Sequence, residues 1–195
     1  MKNKRGFTLA EVLVTLAVIG VVAALTIPTL IGSTQEKQAK TSIKKTLSVL
    51  NQALTMSIAE DGNGANSVET ANATLLKNLF ANYMSTLNDD DTTNSITTSD
   101  GMIYSFSKPG TTCPAATDHD ATIGTDCIIE VDINGNSGSE VPGLTTSYSD
   151  LYYFIVYDSN VVPANSLSAT PTALAGFRST GTNVPDNVAL DALIN

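Results

Sequence analysis

Lys4-Arg5-Gly6-Phe7-Thr8-Leu9-Ala10-Glu11 runs directly into Val12-Leu13-Val14-Thr15-Leu16-Ala17-Val18-Ile19-Gly20 and on through Pro28 to Ile31. From Phe7 to Ile31 there are 25 residues and one charge, Glu11. As a helix this stretch is about 37 Å long at 1.5 Å per residue, enough to cross a hydrocarbon layer of roughly 30 Å with some tilt. Lys2, Lys4 and Arg5 precede it, and Lys37, Lys40, Lys44 and Lys45 follow closely. Flanking charge alone therefore does not orient the segment.

A secretory signal peptide shares the basic start and the apolar stretch, and Val22-Ala23-Ala24 offers a small-residue cleavage site. Glu11 stands against it, because a signal peptide has no use for a charge early in its apolar run. In an ordinary membrane anchor Glu11 is again a cost, about 2.5–3.5 kcal/mol at a helix centre and less near an end. A carboxylate in that position asks for a partner.

Lys4 to Glu11 resembles the class III signal of type IV pilins and type II secretion pseudopilins. That signal is a short basic leader ending in Gly, then Phe-Thr-Leu, one further residue and Glu, abutting a long apolar helix. The resemblance covers residues 1 to about 55. It implies an α+β pilin-like fold, with a long N-terminal helix packed on a small antiparallel sheet. It also implies that a membrane-embedded aspartic prepilin peptidase cuts between Gly6 and Phe7 on the cytoplasmic face, and that the new Phe7 amine is methylated. Gly6 suits that step, since a residue without a side chain lets extended backbone enter a tight site. The C-terminal region would then lie outside. Further implied partners are copies of itself or related pilin subunits in a filament, an inner-membrane assembly platform and a separate cytoplasmic ATPase. Phe7, Glu11 and Pro28 become the assembly residues. Pro28 removes one helical hydrogen bond and, with Gly20, Thr26 and Ile27 nearby, suggests a segment able to stretch in a filament.

Beyond the apolar run, Ala39, Ile43, Leu47, Leu50, Leu54 and Ile58 step by three or four and predict an amphipathic helix. Joined to the first segment it would reach Glu60, 54 residues or roughly 81 Å if wholly helical, and end at Asp61-Gly62-Asn63-Gly64. A coiled coil is the competing reading, with under four heptads to support it. Ser67, with Val68, Ala71, Leu75, Leu79, Tyr83 and Leu87 on one side, predicts a second helix over 67–87. Asn88 to Asn94 reads as a loop. Met102 to Phe106, Cys127 to Ile133, Leu151 to Tyr157 and Val161-Val162 predict three or four antiparallel strands, with a turn at Asp158-Ser159-Asn160.

Residues 46–195 carry 3 basic and 17 acidic groups, a net charge of −14, and the whole chain of 195 residues stands at −9. Such a surface repels phosphate backbones and excludes a nucleic-acid partner for this region. Asp132-Ile133-Asn134-Gly135-Asn136-Ser137-Gly138 has oxygen ligands at alternate positions, which suits calcium. However, its glycine is at the fourth position rather than the sixth and no Glu follows at the twelfth. Asn134-Gly135 is read as a tight type I′ turn, no metal site is assigned, and calcium stays an open alternative. With the C-terminal region outside, Cys113 and Cys127 are expected to form a disulfide. The one histidine, His119, lies between them with too few partners for zinc. No Ser-His-Asp set or GxSxG appears, so catalysis is not expected. Residues 164–195 read as a surface-wrapping tail, with Val188 to Ile194 as a short final helix.

The expected organisation is a removed leader (1–6), a transmembrane or filament-core helix (7–31), its amphipathic continuation (32–60) and an extracytoplasmic domain (61–195). The expected role is a filament subunit of a type IV pilus or type II secretion pseudopilus, starting in the bacterial cytoplasmic membrane. The competing role is a membrane-anchored extracytoplasmic binding protein that keeps its leader.

Overall fold

The computed structural model describes residues 6–62, 64–67, 73–90, 94–108, 113, 120–122, 127–135, 150–164 and 166–168. The chain divides into a unit of residues 1–37 and a unit of residues 38–195, and helix α1 (Leu9–Asp61) contributes to both.

In the first unit, Leu9–Pro28 is long and apolar enough to cross a membrane, and none of it is buried. Leu13, Leu16, Ile19 and Leu25 are 58–72% exposed. The hydroxyls here are satisfied by the helix itself. Thr15 Oγ1 donates to the Val12 carbonyl at 2.9 Å and Thr26 Oγ1 to the Val22 carbonyl at 3.0 Å. Such back-bonding removes the need for water at these positions.

In the second unit α1 turns amphipathic. Ile43, Leu50 and Leu54 are fully buried, and Leu47 and Ile58 flank them half-buried. The stripe read from the sequence thus packs into the domain's own core, which removes the coiled-coil alternative. The helix ends where Gly62, at φ +69°, returns its N–H to the Ile58 carbonyl at 3.1 Å. A left-handed glycine is the usual way to close a final helical turn.

A 3₁₀ turn (Ala65–Ser67) and helix α2 (Ala73–Ala81) follow. Then come strands β1 (Thr86–Asp90), β2 (Ser95–Thr98), β3 (Ile103–Ser107), β4 (Asp120–Thr122), β5 (Ile128–Asp132), β6 (Leu151–Val156), β7 (Val161–Pro163) and β8 (Ser166–Ser168). Six of these form one antiparallel sheet in the order β1-β2-β3-β5-β6-β7, and β4 pairs parallel with β8. This is the α+β, pilin-like plan: an apolar N-terminal helix, then helices and an antiparallel sheet.

Register places Phe106 opposite Ile129 and Ile129 opposite Phe154; Tyr104, Val131 and Tyr152 form the next row. Residues two apart in a strand share a face, and these rows join Leu50 and Leu54 of α1 and Leu76 and Phe80 of α2 in one core. The Phe80 and Phe106 rings lie 5.5 Å apart. The alternate residues of β5 and β6 are buried as well, so the two strands read in sequence as nearly unbroken apolar runs. Glu130, in the middle of one, accepts a hydrogen bond from the Tyr153 hydroxyl at 2.9 Å, which offsets the cost of burying it. The free edge of β7 is met by Asn51 of α1. Its Nδ2 donates to the Val161 carbonyl at 2.8 Å and its Oδ1 accepts the Val161 N–H at 2.9 Å.

Several expectations are corrected. The second helix does not run over 67–87: among the described residues it is α2, ending at Ala81. The Tyr83 and Met84 N–H groups fold back on Phe80 and Ala81 in a tight turn that puts Met84 in the core. Leu87, counted on the apolar side of that helix, is 71% exposed on β1. The Asn88 to Asn94 loop begins as strand, since Asn88 to Asp90 pair with β2, and Asn94 takes a left-handed φ of 51°. The small sheet of three or four strands has six. β3, β5, β6 and β7 match the four apolar runs, while β1 and β2 are too polar to be read as strands; β2 is ordered by the edge of β3 and β1 by the edge of β2.

The Asn134-Gly135 turn is not type I′, which needs positive φ at both residues. Only Gly135 is left-handed, at φ +65°. Asp132 Oδ1 instead accepts the N–H groups of Asn134 at 3.1 Å and Gly135 at 2.9 Å. Within the expected tail, Ser166–Ser168 forms β8; the final helix at 188–194 lies outside the described residues, as do His119 and residues 136–138.

Candidate functional site

The helix start ties one of the singled-out residues, Glu11, to Thr8. Thr8 is the N-cap: its carbonyl accepts the first helical hydrogen bond, from Val12 N at 3.3 Å. Glu11, three residues on, reaches back. Its Oε2 accepts the Thr8 N–H and the Thr8 hydroxyl, both at 2.8 Å, and Thr8 Oγ1 accepts the Glu11 N–H at 3.3 Å. This is a capping box, in which cap residue and third helical residue satisfy each other's backbone donors.

Thr8 is a residue that the sequence reading passed over. Its signal was present, since Thr-x-x-Glu before an apolar run marks a helix start. The box also supplies part of the partner that Glu11 was expected to need, from within its own chain.

Phe7 and Gly6 precede the cap. Phe7 is 91% exposed, and a Cβ built on Gly6 would meet nothing within 4 Å. The Gly6–Phe7 peptide bond thus lies outside the helix and next to its cap. Pro28 lies inside α1. Having no N–H, it leaves the Ala24 carbonyl without its helical donor.

Cys113 and Cys127 are joined, with S–S 2.01 Å and Cα–Cα 5.3 Å, and both are buried. The bond belongs to a junction below the end of α1. There Asn66 Oδ1 accepts the Cys113 N–H at 2.6 Å, and Asn66 N–H donates to Asp158 Oδ1 at 2.9 Å. Lys108 Nζ donates to the Ala65 carbonyl at 2.7 Å, and its burial pushes its pKa down, with Asp158 acting in the other direction. Lys45 of α1 meets Asp100 at 2.6 Å. Partial burial raises the Asp100 pKa, but hydrogen bonds from Lys45 and Thr98 outweigh this and hold it below its ordinary value. Among the described residues no group of three His, Cys, Asp or Glu side chains is placed to hold a metal ion.

A family model described as the prokaryotic N-terminal methylation motif matches residues 1–27. That motif is the class III signal of type IV pilins and pseudopilins, a structural family, and the match ends one residue before Pro28. No match was found to a curated protein or to a solved structure.

Proposed function

We propose that this pilin-like chain is a structural subunit of a type IV pilus or type II secretion pseudopilus. Prepilin peptidase processes it between Gly6 and Phe7, and it assembles with other subunits through its N-terminal helix. The observation that carries this reading is the helix start, where an exposed Gly-Phe junction adjoins a capped, unburied apolar helix that matches the methylation motif. Cleavage there removes Lys2, Lys4 and Arg5 and leaves Thr8, Glu11 and every helical residue in place.

The new amine at Phe7 is positive. In a filament core it would be surrounded by apolar side chains, where an isolated charge is costly and a pair much less so. An amine from one subunit meeting the Glu11 carboxylate of a neighbour would select the axial register, while the exposed Leu and Val side chains supply affinity. Pro28 would let the helix extend as subunits pack. The mature domain stands outside the cytoplasmic membrane, where Cys113 and Cys127 can be oxidised.

Mass spectrometry of the mature chain tests the first step, and the expected N-terminus is methylated Phe7. Recovery of the chain in filaments sheared from cells tests the second. The competing role, an anchored extracytoplasmic binding protein, is favoured by one fact: the capping box gives Glu11 a task that needs no filament. Retention of residues 1–6 in the mature chain would support that role and overturn the first.

A further inference from the structure

Among the described residues of the unit 38–195, the positive charges that reach the surface lie together. Lys44 and Lys45 are exposed and Lys40 is half-buried, while Lys77 and Lys108 are buried. The three surface lysines stand at the start of the amphipathic stretch of α1. The next 14 residues, Thr46 to Ala59, carry no charge, and then Glu60 and Asp61, both exposed, close the helix. Lys45 and Glu60 are thus about 22 Å apart along the axis at 1.5 Å per residue. Exposed Asp158 joins the acidic end, because its carbonyl and its Oδ1 accept the N–H groups of Ala65 and Asn66, just past the helix, at 3.0 and 2.9 Å. At the basic end Asp100 is paired with Lys45, and Glu130, Asp132 and Asp150 are buried.

The helix's own stability does not call for this layout. Acidic side chains at a helix C-terminus oppose its dipole, and the last turn of α1 has no basic residue. Asp61 Oδ2 accepts the Tyr83 hydroxyl at 3.0 Å, a neutral partner.

Copies anchored in one membrane by the same apolar helix stand parallel. At one level, lysines would meet lysines and carboxylates would meet carboxylates, and like charges set against each other repel. Displaced along the helix axis, the acidic end of one copy comes to the basic end of the next. Such a contact joins two different patches of one chain, and its repetition builds an open helical array.

We infer that Lys40, Lys44 and Lys45 of one copy and Glu60, Asp61 and Asp158 of the next are the two halves of a contact between copies displaced along α1. The partner is a second copy because one chain carries both halves. The inference rests on the proposed filament role and adds to it what sets the axial placement of the outer domains.

The test uses cells making the full-length chain with its peptidase and assembly machinery, and reads sheared-filament yield with expression and processing verified. Glu60→Lys with Asp61→Lys makes both ends basic, and Lys40→Glu with Lys44→Glu makes both acidic. Each pair should lower the yield about tenfold, since like ends now meet. The four substitutions together exchange the two ends, and the yield should return to within about twofold of wild type. The melting temperature of Glu60→Lys with Asp61→Lys should not fall, because basic residues suit a helix C-terminus, so its loss of yield is not a loss of fold. Wild-type yield from either pair overturns the inference and leaves the filament role standing. A quadruple variant no better than the pairs also overturns it, and assigns the lysines to another partner such as anionic lipid. Absence of this chain from wild-type filaments overturns the filament role and the inference with it.

Discussion

Between Leu9 and Pro28, helix α1 carries apolar side chains on all sides and buries none of them; between Gln38 and Asp61 it gathers them into one stripe and buries the centre of that stripe fully. The backbone hydrogen bonding is of one kind in both stretches. What differs is the solvent for which each surface is built. The second stretch has its apolar partner within the chain, in the rows of β3, β5 and β6. The first has none there, so its stability depends on lipid or on other helices, and its sequence can be optimised for contacts that the isolated chain never makes.

This contrast can be broken most directly by deleting the same kind of group from each stretch. Leu50→Ala should destabilise the domain by about 3–4 kcal/mol, because the void is enclosed by α2 and the sheet. Leu16→Ala should leave the domain's melting temperature unchanged, since Leu16 is 60% exposed. Thermal unfolding of the full chain in detergent, followed by near-ultraviolet circular dichroism, reads both. A loss on Leu16→Ala matching that on Leu50→Ala would show that the first stretch also takes part in the domain's core.

Next in size is the disulfide. Replacing Cys113 and Cys127 by Ser should cost about 3 kcal/mol, the chain-entropy value for closing a loop of this length. Both sulfur-bearing residues are buried, so dithiothreitol should leave the bond intact under native conditions and reduce it once denaturant is added. Thiol alkylation with mass spectrometry distinguishes the two. Gly135→Ala should cost about 2 kcal/mol through strain, since the residue has φ +65° and its new Cβ would lie 2.4 Å from the Gly101 carbonyl oxygen.

Asn51→Ala should cost roughly 1–2 kcal/mol by leaving the Val161 N–H and carbonyl without their side-chain partner. Amide hydrogen exchange should show the Val161 N–H losing protection while the centre of β5 keeps its own. Equal loss at both would mean that Asn51 supports the whole sheet rather than its edge.

What the sequence made legible follows the same division. Helical periodicity from Ala39 to Ile58 was readable because a stripe of Ile and Leu is spaced by the helix itself. β5 and β6 were readable because burial on both faces demands unbroken runs such as Ile128-Ile129 and Tyr152-Tyr153-Phe154. β1 was hidden because Thr86-Leu87-Asn88-Asp89-Asp90 has no strand pattern of its own and is ordered by the edge of β2. The end of α2 was hidden because Tyr83 and Leu87 fall by chance on a helical period. At the helix start the methylation motif was legible in Gly6, Phe7 and Glu11. The link between Thr8 and Glu11 rests on the Thr-x-x-Glu spacing, a helix-start signal that does not depend on the apolar run after it.

The smallest expected effect concerns the ion pair that fastens the second stretch of α1 to the turn after β2. Lys45 is 55% and Asp100 30% exposed in their side chains, so the pair is worth no more than about 0.2–1 kcal/mol after solvent screening. Its sign with pH is nevertheless fixed. The Asp100 carboxyl is held below its ordinary value of 3.8, so the folded chain binds this proton less readily than the unfolded chain does. Its contribution is in place above that ordinary value and is lost as the pH falls through the folded-state value. Lys45→Met keeps most of the side chain's bulk and removes the charge. The variant should therefore lose a few tenths of a kcal/mol at neutral pH, and the gap to the parent should narrow as acid protonates Asp100. Urea unfolding at a series of pH values measures that gap. Added salt at neutral pH should narrow it as well, because exposed charges are screened, whereas the cost of Leu50→Ala should not respond to salt. A gap that stayed the same in acid and in salt would mean that Lys45 fastens the helix by packing its chain rather than by its charge.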